Sequence, residues 1–187
     1  MPVYVNSPMA VSAVDVYRRH PSEHRLEQGE LDRIYQMPEL VTSVDDSKLL
    51  NLRGGPMVIV SASGMLAGGR ILHHVAAYGS DRDNAIVLTG FQAGGTRGAA
   101  LVRGERSLRI FGRDVPIRAE VHNLDSMSAH ADADDLIAWM KFSATSPSAV
   151  YVTHGEPSAA DTLRAPIGHE VGWHARVPEH LESAVLH

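Results

Sequence analysis

The chain has 187 residues, of which 44% are hydrophobic and 21% are charged, and its formal net charge at pH 7 is −5. These values are typical of a globular protein with one domain or two small ones, burying roughly 70% of its unfolded surface. The absence of cysteine excludes disulfides and thiolate zinc sites. No apolar run approaches the roughly 20 residues of a membrane span and no signal-peptide pattern is present, so we expect a cytoplasmic protein without a membrane partner.

Positive charge is concentrated in one segment. Between residues 97 and 118 the chain carries one glutamate, one aspartate and six arginines, which are Arg97, Arg103, Arg106, Arg109, Arg113 and Arg118. The guanidinium fork suits phosphate well. On charge alone, however, a solvated basic face is the simpler interpretation, and the net charge argues against nucleic-acid binding over the whole surface.

The first elements are a short strand and a helix. An apolar strand is predicted over 3–5, and Ser7 and Pro8 then supply an N-cap and a first helical residue. Apolar residues follow at helical spacing, namely Ala10, Ala13, Val14 and Tyr17. Residues 20–56 are more polar and predict loops with short helices.

Two segments then repeat a strand, a glycine-rich turn and a helix. The segment "MVIVSASGMLAGGRILHHVAAY" predicts a strand over 57–61 and a helix from about residue 70, and "AIVLTGFQAGGTRGAAL" predicts a strand over 85–89. Continuous apolar strands separated by helices indicate a parallel α/β sheet. Ligands collect at the carboxyl ends of such strands, where these glycine turns fall.

The character changes near residue 105, where we place a domain boundary. A Gly-Arg-Asp turn, followed by alternation of Ile117, Ala119 and Val121 with polar residues, predicts a half-buried antiparallel hairpin. We then expect a helix over 132–142, a strand ending at residue 153 and a helix near residue 157.

The segment "SMSAHADADDLIAWM" places His130 two residues before a predicted helix whose N-cap is Asp132. The residues around it, Ser128, Ala129 and Ala131, have small side chains, which would leave room for a substrate beside the imidazole. The imidazole either bonds locally near the helix end or is presented to a substrate. His154 holds an equivalent position at a strand tip, which is a common place for a metal ligand.

Neither histidine defines a metal site by itself, since two histidines cannot hold zinc without further ligands and no HxHxDH or HExxH motif occurs. The turn "SGMLAGGR" lacks the Gly-Lys-Ser/Thr ending of a P-loop and the GxGxxG spacing of a dinucleotide site. Its N–H groups would still suit a nucleic-acid phosphate. His73 and His74, in the following helix, are expected to be packing or surface residues.

Six segments carry a resemblance to a known family. In chain order they are "PVYVNSPMA", "VDDSKLLN", "VIVSASGMLAGGR", "GFQAGGTRG", "SMSAHAD" and "VTHGE". Together they resemble the second half of a β-CASP nuclease, from the RNA- and DNA-processing branch of the metallo-β-lactamase superfamily, and the histidine of "THGE" resembles the RNA-processing type. The resemblance implies an α/β fold: a parallel β-CASP sheet with helices over residues 1–105, and the closing half of a metallo-β-lactamase αββα sandwich, with the RNA-specificity segment, over residues 106–187.

The resemblance also implies site residues. His130 corresponds to a general acid toward the leaving oxygen of the cleaved phosphodiester, and His154 to a ligand completing one of two zinc sites. RNA contacts are expected at the two glycine turns, at Ser63, Gly64, Gly69, Arg70, Gln92, Gly95, Thr96 and Arg97.

The family's HxHxDH motif, its further zinc ligands and an acidic partner for the general acid lie upstream of the matching segments and do not occur here. We therefore expect a fragment or split subunit that lacks the N-terminal metallo-β-lactamase half, and that alone neither holds two zinc ions nor cuts RNA. The alternative is an RNA-binding or interaction module that acts as a non-catalytic partner of a β-CASP nuclease. We expect apolar residues of the hairpin, Ile117 and Val121, and of the strand 150–152 to be uncovered. Their exposure predicts self-association, with a homodimer favoured.

Overall fold

The computed structural model describes residues 1–126 and 130–185. The chain divides into two compact units, residues 1–128 and 129–187. Ser128 and Ala129, two of the small residues that were expected to leave room beside His130, lie outside the described residues. No helix within the described ranges is long and apolar enough to span a membrane.

The first unit mixes helices with mainly parallel strands. In chain order its elements are β1 (Val3–Val5), α1 (Pro8–Arg19), α2 (Gln28–Gln36), β2 (Glu39–Leu40), α3 (Val44–Leu50), β3 (Val58–Val60), α4 (Ile71–Tyr78), β4 (Ala85–Thr89), α5 (Arg97–Val102), β5 (Ser107–Ile110), β6 (Arg113–Pro116) and β7 (Glu120–Leu124). Strand β1 lies between β2 and β3 in a parallel sheet, β4 pairs in parallel with β7, and β5 and β6 are antiparallel. The predicted parallel α/β arrangement is confirmed for this unit.

Local signals place most of these elements. The Ser7 hydroxyl accepts the N–H of Ala10 at 3.3 Å, and Pro8 is the first residue of α1, as predicted. Strand β4 covers the predicted residues, and α4 begins one residue after its predicted start. Capping and apolar runs act over a few residues, so they can be recognised without knowledge of the fold.

The predicted hairpin is wrong in its second strand. The partner of β5 is β6, and the turn between them contains Phe111 and Gly112, both with positive φ, at 49° and 77°. The following alternating segment ends in β7, which pairs in parallel with β4 and places Glu120 beside Ala85. Alternation reports only which side chains share a face and does not identify the partner strand.

The main core of the first unit lies among α4, α5, β4 and the β5–β6 hairpin. Its buried residues are Leu66, Leu72, Val75, Leu88, Ala100, Leu101, Leu108, Ile110 and Ile117. The expectation that Ile117 is uncovered is therefore wrong, because its side chain is only 2% exposed. It packs at the end of α4, where a Cβ added to Gly79 would lie 2.9 Å from Ile117 Cδ1.

The second unit contains two helices and a short parallel strand pair. Its elements are α6 (Ala133–Lys141), β8 (Val150–Tyr151), α7 (Pro157–Pro166), the π-helical turn Ile167–Val171 and β9 (Ala175–Arg176), with β8 parallel to β9. The buried residues Ile137, Val152, Ala160 and Ile167 form its core. Both predicted helices are confirmed. Strand β8 ends before the predicted residue 153, and Val152, which was expected to be uncovered, is buried.

Candidate active site and RNA-contact residues

The first glycine turn leaves β3 and leads into α4. The Ser61 hydroxyl donates to the carbonyl of Asn6 at 2.8 Å and so ties the start of the turn to β1. Gly69 has φ 79°, and a Cβ there would approach the Ala62 carbonyl oxygen to 3.0 Å, so a side chain would be strained. Ser63 is half-buried and Gly64 is exposed. These predicted RNA-contact residues therefore lie just beyond the carboxyl end of a parallel strand.

The second glycine turn leaves β4 and leads into α5. Thr96 caps this helix, since its hydroxyl accepts the N–H of Ala99 at 3.2 Å and donates to the Ala93 carbonyl at 2.7 Å. Gly95 has φ 79° and is exposed. Gln92 donates from Nε2 to the Gly90 carbonyl at 3.3 Å. The Gln92 amide is thus used to hold the turn.

The structure brings the two glycine turns together. The backbone N–H of Gly98 donates to the carbonyl of Met65 at 3.0 Å. A Cβ at Gly98 would displace the end of the Gln92 side chain and would lie 3.2 Å from the Met65 carbonyl oxygen, so a residue larger than glycine would crowd the contact between the turns. The two turns that carry the predicted RNA-contact residues are thus in contact with each other, and the contact of these residues with RNA remains a prediction.

Arg97 acts as a clamp within this surface. Its Nε donates to the carbonyl of Arg109 at 2.7 Å, and Nη1 donates to the Leu66 carbonyl at 3.1 Å. A third carbonyl, that of Ala67, lies 3.5 Å from Nη1. A planar guanidinium can satisfy several carbonyls from different segments at once. Arg97 therefore joins the first turn, α5 and the end of β5, a structural function that sequence analysis did not predict.

Arg70 has a similar function at the other end of the first turn. Its Nη1 donates to Oδ1 of Asn6 at 2.8 Å and to the Val41 carbonyl at 2.9 Å, and Nη2 donates to the Thr42 carbonyl at 2.7 Å. These contacts connect the start of α4 with β1 and with the segment that follows β2.

A buried polar network that sequence analysis missed lies beneath Arg70. Asn6 is fully buried, and its Nδ2 donates to the hydroxyl of Ser47 at 2.8 Å and to Nε2 of His74 at 2.7 Å. His74 is 4% exposed, which confirms its assignment to packing, whereas His73 is on the surface, where its ring lies tilted against that of Phe111. Burial, with the neighbouring positive groups of His73 and Arg70, lowers the pKa of His74 to about 4.

The second unit carries both candidate catalytic histidines. His130 is exposed and lies two residues before Asp132, whose carboxylate accepts the N–H of Asp135 at 2.8 Å and caps α6 as predicted. His154 is exposed between β8 and α7 and has a positive φ of 65°. Helices α6 and α7 pack in the same core, so each histidine lies near the start of a helix that this core holds in place.

The described residues supply an incomplete donor set for zinc. Among residues 1–126 and 130–185, no three histidine, aspartate or glutamate side chains are close enough together to hold a metal ion. Zinc sites in proteins take three or four protein ligands. His154 can therefore be one ligand, but the arrangement within these ranges does not complete a site around it.

Comparison with known proteins identifies the family. Residues 1–101 match the Beta-Casp domain, and residues 114–178 match the Zn-dependent metallo-hydrolase RNA specificity domain. The chain belongs to the β-CASP family. The resemblance of the six ordered segments is confirmed, and the glycine turns lie in the Beta-Casp match, whereas His130 and His154 lie in the RNA specificity match.

Three relatives illustrate the similarity of this β-CASP chain to known proteins. Ribonuclease TTHA0252 of Thermus thermophilus is 40% identical over 162 residues, which cover 83% of this chain and 36% of the relative. Transcription termination factor FttA of Thermococcus kodakarensis is 31% identical over 71% of this chain and 21% of the relative. An RNase J-like protein of Methanocaldococcus jannaschii is 35% identical over 62% of this chain and 26% of the relative. The chain thus spans about a third or less of the length of these relatives.

Proposed function

We propose that this chain is the C-terminal part of a zinc-dependent ribonuclease that hydrolyses phosphodiester bonds in RNA. The observation that carries the proposal is the position of His154. This residue is exposed, it follows the parallel strand β8 in the chain, and it lies within the match to the RNA specificity domain. The names of two of the three relatives, a ribonuclease and an RNase J-like protein, support RNA as the substrate. The proposal includes a domain boundary near residue 105 and the closing half of a metallo-β-lactamase sandwich after it.

In this proposal His130 donates a proton to the leaving oxygen of the cleaved phosphodiester. Its position supports the role, because the imidazole is exposed and lies two residues before the capped start of α6.

His154 is proposed as a zinc ligand. The zinc ions of the family would supply an activated water and stabilise charge on the phosphate. Because the described residues complete no donor set, the remaining ligands are proposed to come from a metallo-β-lactamase half supplied in the same protein or by a partner chain. We expect the 187-residue chain alone to bind well under one equivalent of zinc and to be inactive, as metal analysis of the purified chain can test.

A chimera tests the proposed activity directly. The segment of the Thermus ribonuclease that matches this chain would be replaced by residues 1–187, and cleavage of a labelled RNA would be measured. Cleavage by the chimera, lost on His130→Ala, is the expected result. A folded, zinc-loaded chimera that leaves RNA intact would refute the nuclease assignment.

A second candidate function is an RNA-binding or interaction module that acts as a non-catalytic partner of a β-CASP nuclease. It is favoured by the similarity to relatives named transcription termination factor and by the incomplete donor set in the described ranges. RNA binding by the isolated chain, combined with an inactive chimera, would support this module over the enzyme.

A further inference from the structure

A groove with a net positive charge lies in the first unit, away from both glycine turns. It has a volume of about 620 Å³, and its charged lining residues are Arg82, Arg106, Arg118 and Glu120. It is found where α4 has ended and where β4 and β7 begin. The groove is therefore at the amino-terminal edge of the β4–β7 pair, whereas the second glycine turn follows the carboxyl-terminal edge of the same pair.

Backbone hydrogen bonds hold the walls of the groove in place. The carbonyl of Gly79, at the end of α4, accepts the N–H groups of Arg118 at 2.8 Å and of Ala119 at 3.0 Å. The N–H of Glu120 donates to the Asn84 carbonyl at 2.9 Å. The segment that carries Arg118 is thus anchored at three successive residues.

Arg106 is fixed against this same segment. The N–H of Ile117 donates to its carbonyl at 2.8 Å, and its own Nη1 lies 3.3 Å from the carbonyl of Ala119. Ile117 beneath them is buried in the main core. The backbone that carries Arg106 and Arg118 is therefore already held in place, so no ordering of that backbone is needed when these two side chains bind a ligand.

The groove keeps its positive charge. Among the described residues, no carboxylate forms a salt bridge with Arg82, Arg106 or Arg118, whereas the exposed Arg19, Arg103 and Arg109 are each paired with an acid. The acid of the lining, Glu120, has Oε2 at 3.1 Å from Nε2 of His122. Next to Arg82, the Asp81 carboxylate accepts the N–H of Asp83 at 3.0 Å. With three arginines and one glutamate, the lining has a net positive charge that attracts anions.

We propose that this groove binds the phosphodiester backbone of RNA at an exosite separate from the glycine turns. The inference rests on the proposed RNA-directed function and adds a second contact region to it. Guanidinium groups bind phosphate oxygens with two parallel hydrogen bonds, and three of them can follow successive phosphates without reading base identity. The exosite would therefore raise affinity for RNA of any sequence that is long enough to reach both edges of the β4–β7 pair.

The test is RNA binding by the 187-residue chain, measured by fluorescence anisotropy with a labelled single-stranded 30-mer over a range of salt concentrations. The variant is Arg82→Gln with Arg118→Gln. The control is Arg19→Gln with Arg103→Gln, which removes the same charge from two arginines that are paired on the surface of the same unit. Melting temperatures of all three proteins establish that they are folded.

We expect the groove variant to bind roughly tenfold more weakly at 0.1 M salt and its salt slope to fall by about 1.4, since each single-strand phosphate contact contributes about 0.7. The control should change little in either measure. Equal effects in the two double variants, or a groove variant that matches wild type, would overturn the exosite while leaving the proposed function intact. Failure of the wild-type chain to bind RNA at all would overturn the exosite and RNA binding by this chain together.

Discussion

The side-chain amide of Asn6 donates to Nε2 of His74 across 2.7 Å, and both groups are buried. Since Arg70 donates to Oδ1 of Asn6, the amide nitrogen must be the donor toward the imidazole. Nδ1 of His74 then donates to Oδ1 of Asn51 at 2.6 Å. The network therefore requires a neutral imidazole, because a proton on Nε2 would face another donor.

This network predicts a stability that depends on pH. In the unfolded chain His74 titrates near 6.5, whereas in the folded chain its pKa is about 4. Between these two pKa values the unfolded state binds more protons than the folded state. The contribution of His74 to the free energy of unfolding is therefore complete above pH 6.5, and it falls by about 3 kcal/mol as the pH drops toward 4. Urea unfolding followed by circular dichroism should show this slope in wild type and in His73→Asn, but a reduced one in His74→Asn. Equal slopes in wild type and His74→Asn would contradict the prediction.

Substitution of Arg97 should separate its structural function from contact with RNA. Arg97→Lys keeps the charge but loses the fork that joins Leu66 and Arg109, so we expect the free energy of unfolding to fall by about 1.5–3 kcal/mol, with an unchanged salt slope for RNA binding. Arg97→Ala should be destabilised similarly and should also bind RNA more weakly with a flatter salt dependence. A salt slope for Arg97→Ala equal to that of wild type would mean that the guanidinium serves only the fold.

The two histidines of the second unit should differ in their effects on metal content. In the chimera with the Thermus ribonuclease, His130→Ala should slow RNA cleavage by about 10²–10⁴-fold while zinc content stays near normal, as expected for loss of a general acid. His154→Ala should lower both activity and zinc content. Zinc analysis alongside single-turnover cleavage distinguishes the two, and equal zinc loss in both variants would refute the division of roles.

Self-association is expected to use part of the surface that the sequence suggested, since Val150 and Tyr151 of the predicted strand line the same apolar groove as Trp139 and Phe142, whereas Ile117 and Val152 are buried. In the second unit Trp139 is 71% and Phe142 is 88% exposed, and both line an apolar groove of about 640 Å³ next to Trp173. Apolar patches of this kind favour association. Analytical ultracentrifugation over a concentration series should show a dimer that Phe142→Ser weakens. Phe91→Ser, which alters an exposed phenylalanine of the first unit, serves as the control and should leave association unchanged. A monomer at every concentration would contradict the prediction.

Signals that act over a few residues were sufficient for much of the fold. Ser7 with Pro8 and Asp132 with Asp135 define the starts of two helices through bonds to neighbouring N–H groups, and the apolar run of β4 predicts a strand by itself, of which Leu88 is buried. The family was also recognisable, because six ordered segments of unusual composition are specific in combination. The candidate histidines followed from their places at helix starts within those segments.

The tertiary structure alone decided which distant residues meet. The parallel pairing of β7 with β4, the burial of Ile117 and the contact between Asn6 and His74, which are 68 residues apart, leave no mark on local periodicity. The same holds for Arg97, which the sequence suggested only as an RNA contact and which the structure shows bonded to three carbonyls. The physical reason is that a sequence pattern reports whether a side chain prefers burial or solvent, whereas its hydrogen-bond partners depend on how the chain closes upon itself.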